Sequence, residues 1–313
     1  MDRLISNEQL PDSVWCSNNS EMRLPENLVN SWKQLLSNNN LEELAKEPAE
    51  KGFVGGISED DTNKHLAWRY NGSCARVILS MLDPKHELTE ISNAYATLFS
   101  GNKVLLADIP SGSGAAAISI LCTLAELREK NVIPRHPLEV VIVAGEISSH
   151  ALYYFKSQID FITPILAKQA IKIHKPSLLN WNVLDSMSTT NLIREMTVRN
   201  IDCQNRMLIL CNFSGFLTSD SSRWKAANSK FEEIFRHSTD NNSAVIWIEP
   251  QTNKAGTLFS MLKNWFSTKF SNLLPHQEKT EQLKSTVECK QSLIEGTFKV
   301  NLSVYRFDLP RES

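Results

Sequence analysis

The chain has 313 residues, with 33 lysines and arginines against 35 aspartates and glutamates, so its formal net charge is −2. At roughly 150 residues per domain, this length predicts about two domains. Apolar residues make up 42% of the chain and charged residues 22%, a balance typical of a soluble globular protein, which excludes a disordered one. The near-neutral charge excludes a general attraction to nucleic acid or anionic membranes, but it does not exclude a local basic patch.

The sequence shows no targeting, membrane or metal motif. No apolar run reaches the roughly 18 residues that a membrane span needs, and Met1–Leu10 lacks the basic and apolar regions of a secretory signal. The six cysteines are scattered without a Cys-x-x-Cys spacing, which argues against a disulfide framework or a zinc ribbon. We therefore expect a reduced, cytoplasmic protein with no metal site and no membrane contact.

The first 95 residues are predicted to form a mainly helical extension without a sheet. Apolar residues over Leu28–Leu36 recur at helical spacing, and glycines followed by acidic residues over 52–61 indicate a loop. Helices are predicted over His65–Leu82 and Ile91–Phe99, because Pro84 and Gly101 end them.

From Lys103 onward, short apolar strands alternate with helices. Five buried strands are predicted, over Val104–Ala107, Leu138–Ala144, Ala170–His174, Met207–Cys211 and Ala244–Ile248. The helices between and after them are predicted over 114–130, from 149, over 188–198 with Ser188 as N-cap, over 223–237 and over 256–273. Two closing segments, Ser285–Ser292 and Thr297–Phe307, alternate around a Glu295-Gly296 turn. We predict an α/β domain over 96–313, with a Rossmann-like seven-stranded, mostly parallel sheet and an antiparallel C-terminal hairpin.

The segment Asp108–Ala115 carries the clearest functional signal. It leaves the first strand and opens a helix, and its Gly112 and Gly114 allow a ligand to approach the backbone closely. Ligands of open α/β sheets bind at the carboxyl ends of the strands, where this turn lies. A tight turn without a ligand is the alternative interpretation.

Glu146 follows the second strand and would face the same crevice. A carboxylate in this place accepts hydrogen bonds from both hydroxyls of a ribose. The alternative is an acid that is stabilised by the N-terminus of the next helix.

These residues resemble the class I S-adenosylmethionine-dependent methyltransferases over about residues 95–310. Asp108, Gly112 and Gly114 match the first motif of that family, with Pro110 in place of its first glycine, and Glu146 matches its ribose-binding acid. The resemblance implies that S-adenosylmethionine is the cofactor, that Asp185 contacts the adenine, and that Asn212 lies on the floor of the donor site. Pro110 departs from the pattern, because proline has no N–H to offer the cofactor.

The acceptor is not apparent from the sequence. After the fourth strand, the chain has Asn212-Phe213-Ser214-Gly215 in place of the two prolines of nucleic-acid amino-methyltransferases, and Cys211 is expected to point into the core. Both features argue against the nucleic-acid amino-methyltransferases and the cytosine-C5 enzymes. Nucleic acid as such is not excluded as a substrate, and a protein partner also remains open. Glu249-Pro250 either lines an acceptor pocket or merely ends a strand.

Three further segments allow two interpretations each. His65, Arg69, Tyr70 and Arg76 either meet an anionic substrate or form a solvated face. His150 is expected to be an ordinary helix residue rather than a base, and the helix over 256–273 is expected to cover the sheet rather than lie on a membrane.

Three hypotheses for function follow. The first is a methyltransferase of unknown acceptor that binds S-adenosylmethionine. The second is a binding or regulatory subunit that keeps this fold without catalysis, which Pro110 favours. The third is a nicotinamide-dependent oxidoreductase, because Gly112-x-Gly114-x-x-Ala117 also fits the dinucleotide pattern.

Overall fold

The structure is a computed structural model that describes residues 4–50, 55–239, 242–270 and 282–309. Within these residues, ten strands form a single sheet. The strands are β1 (Trp15–Cys16), β2 (Glu21–Met22), β3 (Lys103–Asp108), β4 (Leu138–Glu146), β5 (Ile171–Ile173), β6 (Ser177–Asn180), β7 (Asn205–Cys211), β8 (Ser243–Glu249), β9 (Leu283–Lys290) and β10 (Thr297–Asp308). The helices are α1 (Glu26–Asn38), α2 (Glu42–Lys46), α3 (Glu59–Trp68), α4 (Tyr70–Leu82), α5 (Thr89–Leu98), α6 (Ala115–Glu129), α7 (Ser149–Lys168), α8 (Ser186–Arg199), α9 (Ser214–Leu217), α10 (Ser221–Arg236) and α11 (Asn253–Lys269).

The predicted Rossmann-like α/β fold is confirmed by the order of the strands. The parallel strands lie in the order β5-β4-β3-β7-β8, which is the 3-2-1-4-5 order of a doubly wound sheet. The predicted hairpin follows, since β10 pairs antiparallel with both β8 and β9. The order reverses between β3 and β7, and such a reversal opens a crevice beyond the carboxyl ends of the two strands.

Alternate residues of the strands enter two separate hydrophobic cores, one on each face of the sheet. Leu106 of β3 packs in the core that contains α1, α4, α6 and α7, whereas its neighbour Leu105 packs in the core that contains α8, α10 and α11. Strands that are buried on both faces explain the continuous apolar runs of the sequence. The helix α11 covers the sheet as predicted, with Leu258, Leu262 and Phe266 buried.

The prediction that the N-terminal segment contains no sheet is wrong. The strands β1 and β2 form a short hairpin, and β2 pairs in parallel with β9, so the segment extends the sheet at that edge. Two-residue strands show no periodicity, which is why the sequence did not reveal them. The predicted helix over His65–Leu82 is broken at Arg69 into α3 and α4. Residues of the N-terminal segment and residues of the strands and helices that follow it pack in one hydrophobic core.

Three other predictions need correction. The strand β6 was not predicted. Asp185, not Ser188, is the N-cap of α8, since its carboxylate accepts hydrogen bonds from the N–H groups of Met187 and Ser188. The strand β4 extends to Glu146, two residues further than predicted. Residues 271–273, the end of the last predicted helix, lie outside the described residues.

The turn between β3 and α6 places its two glycines in the left-handed region, but for different reasons. Gly114 has φ +85°, and a Cβ added there would lie 2.2 Å from Cδ2 of the buried Phe155. Gly112 has φ +52°, and a Cβ there would meet no atom within 4 Å. Gly114 is therefore required for packing, whereas Gly112 borders open space.

Alanine substitutions should separate the two roles. Gly114→Ala adds a steric clash to an unfavourable φ and should lower the free energy of unfolding by about 3 kcal/mol, whereas Gly112→Ala should cost about 1 kcal/mol for φ alone. Urea denaturation of both variants measures this difference. Equal losses for the two variants would contradict the packing role of Gly114.

Candidate functional site

A cavity of about 270 Å³ opens beyond the carboxyl ends of β3, β4 and β7, at the point where the strand order reverses. This volume lies near the lower end of the range for ligand pockets and suits a ligand of nucleoside size. It is the smaller of two adjoining cavities. Five of the seven residues expected at the donor site line the smaller cavity: Asp108, Pro110, Gly112, Glu146 and Asn212. A sixth, Gly114, supports the turn from behind, against Phe155.

Asp108 ends β3 and is completely buried. Its Oδ2 accepts a hydrogen bond from the N–H of Ala117 at 3.1 Å, which fixes the start of α6, and its Oδ1 has no partner. Burial raises the pKa of Asp108 well above its ordinary value, and the nearby Glu146 acts in the same direction. A buried carboxyl oxygen without a partner at the wall of a cavity is a site that a ligand can complete.

Glu146 ends β4 and binds the turn from the other side. Its Oε2 accepts a hydrogen bond from the N–H of Gly112 at 2.9 Å, and its Oε1 accepts one from the N–H of Ser148 at 3.0 Å. A carboxylate offers about four acceptor positions, so each oxygen keeps one for a ligand. Burial raises the pKa of Glu146, although the backbone N–H groups that it binds oppose this rise.

Asn212, Cys211 and Pro110 complete the wall near β7. Asn212 has φ +57°, a conformation that asparagine tolerates, and its Oδ1 accepts a hydrogen bond from Nε of Arg76 at 3.1 Å. Cys211 packs against the hydrophobic core, as predicted, and it also lines the smaller cavity. Burial raises the pKa of its thiol, which disfavours the thiolate form. The Ile109–Pro110 peptide bond is cis.

Asp185 does not line the smaller cavity. It is exposed and caps α8, and from this part of the chain Trp181, Asn182 and Val183 reach the cavity instead. These three residues follow β6, which pairs with the end of β4. Identification of β6 from its four residues would have placed Trp181 and Asn182 at the sheet edge.

The N-terminal segment forms the outer wall of the smaller cavity. Thr62, His65 and Tyr70 line it, and the Thr62 hydroxyl lies 2.9 Å from that of Ser148. Tyr70 donates a hydrogen bond to Oε1 of the buried Gln158 at 2.7 Å, and Gln158 Nε2 donates one to the carbonyl of Ser113 in the turn. The helix α4 is therefore connected to the turn through Gln158, and α3 is connected to the start of α7; of the four residues considered in the sequence, only Arg69 is exposed.

A larger cavity of about 1170 Å³ adjoins the smaller one, and Gly55, His65, Ser73 and Asn212 line both. Glu249 and Pro250 line the larger cavity, as one of the two interpretations of that segment expected. Glu249 is completely buried, and its Oε1 accepts hydrogen bonds from the N–H groups of Phe213 at 2.7 Å and Ser214 at 3.0 Å, and from Trp247 Nε1 at 2.9 Å. Its carboxylate therefore shapes the loop after β7, where the sequence lacks prolines. Its Oε2 has no partner.

Comparisons with known proteins reveal similarity of structure only. No protein-family model matches the chain, and no curated protein is significantly similar to it in sequence. The solved structures similar to it include a putative class I S-adenosylmethionine-dependent methyltransferase from Listeria monocytogenes (12% identity, 92% of this chain and 89% of that chain, TM-score 0.36). Another is the precorrin-6y C5,15-methyltransferase of Geobacter metallireducens (11% identity, 70% of this chain and 88% of that chain, TM-score 0.36). A third is the N-terminal domain of human METTL16 in complex with SAH (10% identity, 90% of this chain and 95% of that chain, TM-score 0.35).

Among the residues that the structure describes, no helix combines the length and the apolar character that crossing a bilayer requires.

His65 should make the stability of the fold dependent on pH. Burial, with the positive charges of Arg69 and Arg76, lowers the pKa of His65 from 6.5 to about 4. Below pH 6.5 the imidazole of His65 is protonated in the unfolded chain but stays neutral in the folded protein. The contribution of neutral His65 to stability is therefore complete above pH 6.5 and is lost as the pH falls toward 4. His65→Asn removes the effect.

The expected result is that the difference in unfolding free energy between wild type and His65→Asn changes by about 2 kcal/mol between pH 7 and pH 4.5. Urea denaturation at the two pH values measures it, and contributions from the buried carboxyl groups cancel in the difference. A difference that does not vary with pH would show that His65 is protonated normally.

Glu249 should be replaceable by glutamine but not by alanine. Glu249→Gln keeps the oxygen that accepts three hydrogen bonds and removes a buried carboxyl whose pKa is raised by burial, so we expect stability to change by less than about 1 kcal/mol. Glu249→Ala leaves three buried donors without an acceptor and should cost about 3 kcal/mol or more. Thermal denaturation of the two variants checks this. Similar stabilities would contradict the role of Glu249 in holding the loop after β7.

Proposed function

We propose that this protein binds S-adenosylmethionine in the smaller cavity and transfers its methyl group to an acceptor in the larger one. The observation that carries the proposal is the arrangement of Glu146 and the glycine turn. Both border one cavity at the reversal of strand order, and Glu146 keeps acceptor positions that suit the two hydroxyls of a ribose.

The residues of the smaller cavity suit this cofactor in their hydrogen-bonding groups and apolar surfaces. The carboxyl oxygens of Asp108 and Glu146 line it, and they offer hydrogen-bond acceptors to the amino group and the hydroxyls of this ligand. Trp181 and Phe213 supply apolar rings for an adenine, with their ring centroids 6.4 Å apart. The open space beside Gly112 admits the ligand close to the backbone.

When bound, S-adenosylmethionine supplies a methyl group activated by the sulfonium. The chain's own task is then to align donor and acceptor and to exclude water. Asn212 and His65 lie where the two cavities meet, so they are the side chains placed to align the two reactants. His65 is neutral at pH 7, because its pKa is lowered to about 4, and a neutral imidazole can accept a hydrogen bond from an acceptor group.

Glu146→Gln should weaken binding of S-adenosylmethionine by about tenfold to a hundredfold, because hydrogen bonds to a charged acceptor contribute about 1.5–3 kcal/mol each. Calorimetric titration with S-adenosylmethionine and with S-adenosylhomocysteine measures this loss. The matched control is Asp185→Asn, which makes the same chemical change outside the cavity and should bind like wild type.

Two outcomes would contradict the proposal. If the wild-type protein gives no binding heat with either compound at high protein concentration, S-adenosylmethionine is excluded as the cofactor. NADH that displaces S-adenosylmethionine completely and binds more tightly would favour an oxidoreductase.

A regulatory subunit without catalysis is a second candidate, because Pro110 borders the smaller cavity without an N–H to offer a ligand. Incubation with methyl-labelled donor and candidate nucleic acids, proteins or metabolites separates the two. A single confirmed turnover eliminates the regulatory alternative.

A further inference from the structure

The larger cavity has a charge pattern that differs from that of the whole chain. Its described lining contains five cationic side chains and two carboxylates, Glu47 and Glu249, whereas the chain as a whole carries a net charge of −2. The cationic residues come from α2, the junction of α3 and α4, α4 itself, α11 and β10; they are Lys46, Arg69, Arg76, Lys254 and Lys299. Such convergence of separate segments creates a positive field over one concave surface.

Most of this charge is available to a ligand. Lys46 is paired with Glu43 at 2.6 Å, and Arg76 is bound to Asn212. Within the described part of the chain, Arg69, Lys254 and Lys299 make no ion pair, and all three side chains are exposed. These three cations require no rearrangement to contact an anionic ligand.

The same cavity contains groups that recognise flat, hydrogen-bonding rings. The half-buried Trp68 and Phe298 line it and present aromatic surface. Oε2 of Glu249 is a buried acceptor without a partner. The loop that Glu249 binds begins beside Asn212. The side-chain amide of Asn212 adds donors at the junction of the two cavities. Aromatic surfaces stack on bases, and a carboxylate with an amide binds base edges.

The size of the larger cavity favours a segment of a macromolecule as its ligand over a small molecule. Its volume of about 1170 Å³ exceeds the range of roughly 300–1,000 Å³ that is usual for small-molecule pockets. A positive groove with interspersed aromatic residues is typical of proteins that bind single strands of nucleic acid.

We propose that the larger cavity binds a segment of single-stranded nucleic acid and holds one of its bases at the junction with the smaller cavity. This proposal rests on the proposed function for the step that follows, in which that base is the methyl acceptor. In the transfer, a bond forms between the methyl carbon and a ring or amino nitrogen of the base, and the bond from that carbon to the sulfonium sulfur breaks. The sulfur keeps the electron pair, and an amino nitrogen releases its proton to solvent.

Fluorescence anisotropy with a labelled 12-nucleotide RNA of mixed sequence, and with the DNA of the same sequence, tests the binding step without cofactor. At about 0.1 M salt, the double variant Lys254→Glu/Lys299→Glu should bind at least tenfold more weakly than wild type. The slope of log affinity against log salt should become shallower by about 1.4, since each phosphate contact on a single strand contributes about 0.7. The two oligonucleotides show whether the sugar is distinguished.

Lys263→Glu is the matched control, because Lys263 lies on α11 like Lys254, is exposed and does not line the cavity. Lys263→Glu and the single variant Lys254→Glu change the net charge equally, so a difference in oligonucleotide binding between them reports the effect of position. Phe298→Ala should weaken oligonucleotide binding about fivefold or more through lost stacking, and it should leave the binding of inorganic polyphosphate unchanged.

Four outcomes overturn the proposal: no binding by the wild type, equal losses in Lys254→Glu and Lys263→Glu, equal affinity for polyphosphate, and equal affinity for polyglutamate. The cofactor titration is a separate measurement. If the oligonucleotide binds as described and S-adenosylmethionine does not bind, the proposed function fails and the nucleic-acid site stands.

Discussion

Hydrogen bonds from three parts of the fold hold the turn between β3 and α6, and the smaller cavity exists because of them. Asp108 binds the N–H of Ala117, Glu146 binds the N–H of Gly112, and Gln158 binds the carbonyl of Ser113. The turn cannot collapse into the space beside it without losing these bonds. Two of them are buried and the one to Gly112 is partly buried, so their loss is costly. The backbone around Gly112 is therefore held open beside the cavity.

The N-terminal segment belongs to the site as much as the sheet does. Gln158 connects the turn to Tyr70 of α4 and to Ser31 of α1, and Thr62 of α3 contacts Ser148 at the start of α7. Through these contacts α3 and α4 form the shared wall of the two cavities. A change in the packing of this segment would therefore alter both cavities together.

The two cavities differ in charge, and this difference supports their separate roles. Carboxyl groups of Asp108 and Glu146, whose pKa values are raised by burial, line the smaller cavity, whereas cations predominate in the larger one. Glu249 lies in the larger cavity but is completely buried and bound to the loop after β7. A nearly neutral chain thus separates its charges in space, which its composition alone cannot show.

The sequence by itself determined the alternation of strands and helices, the closing hairpin, the glycine turn and the place of Glu146. Each of these depends on local periodicity or on position at a strand end, and both are visible in a few consecutive residues. The tertiary structure alone decided that Asp185 caps a helix while Trp181 reaches the cavity, that β2 joins the sheet through β9, and that five separated cations surround one space. These features arise from contacts between residues far apart in the chain, and such contacts show no pattern along the sequence.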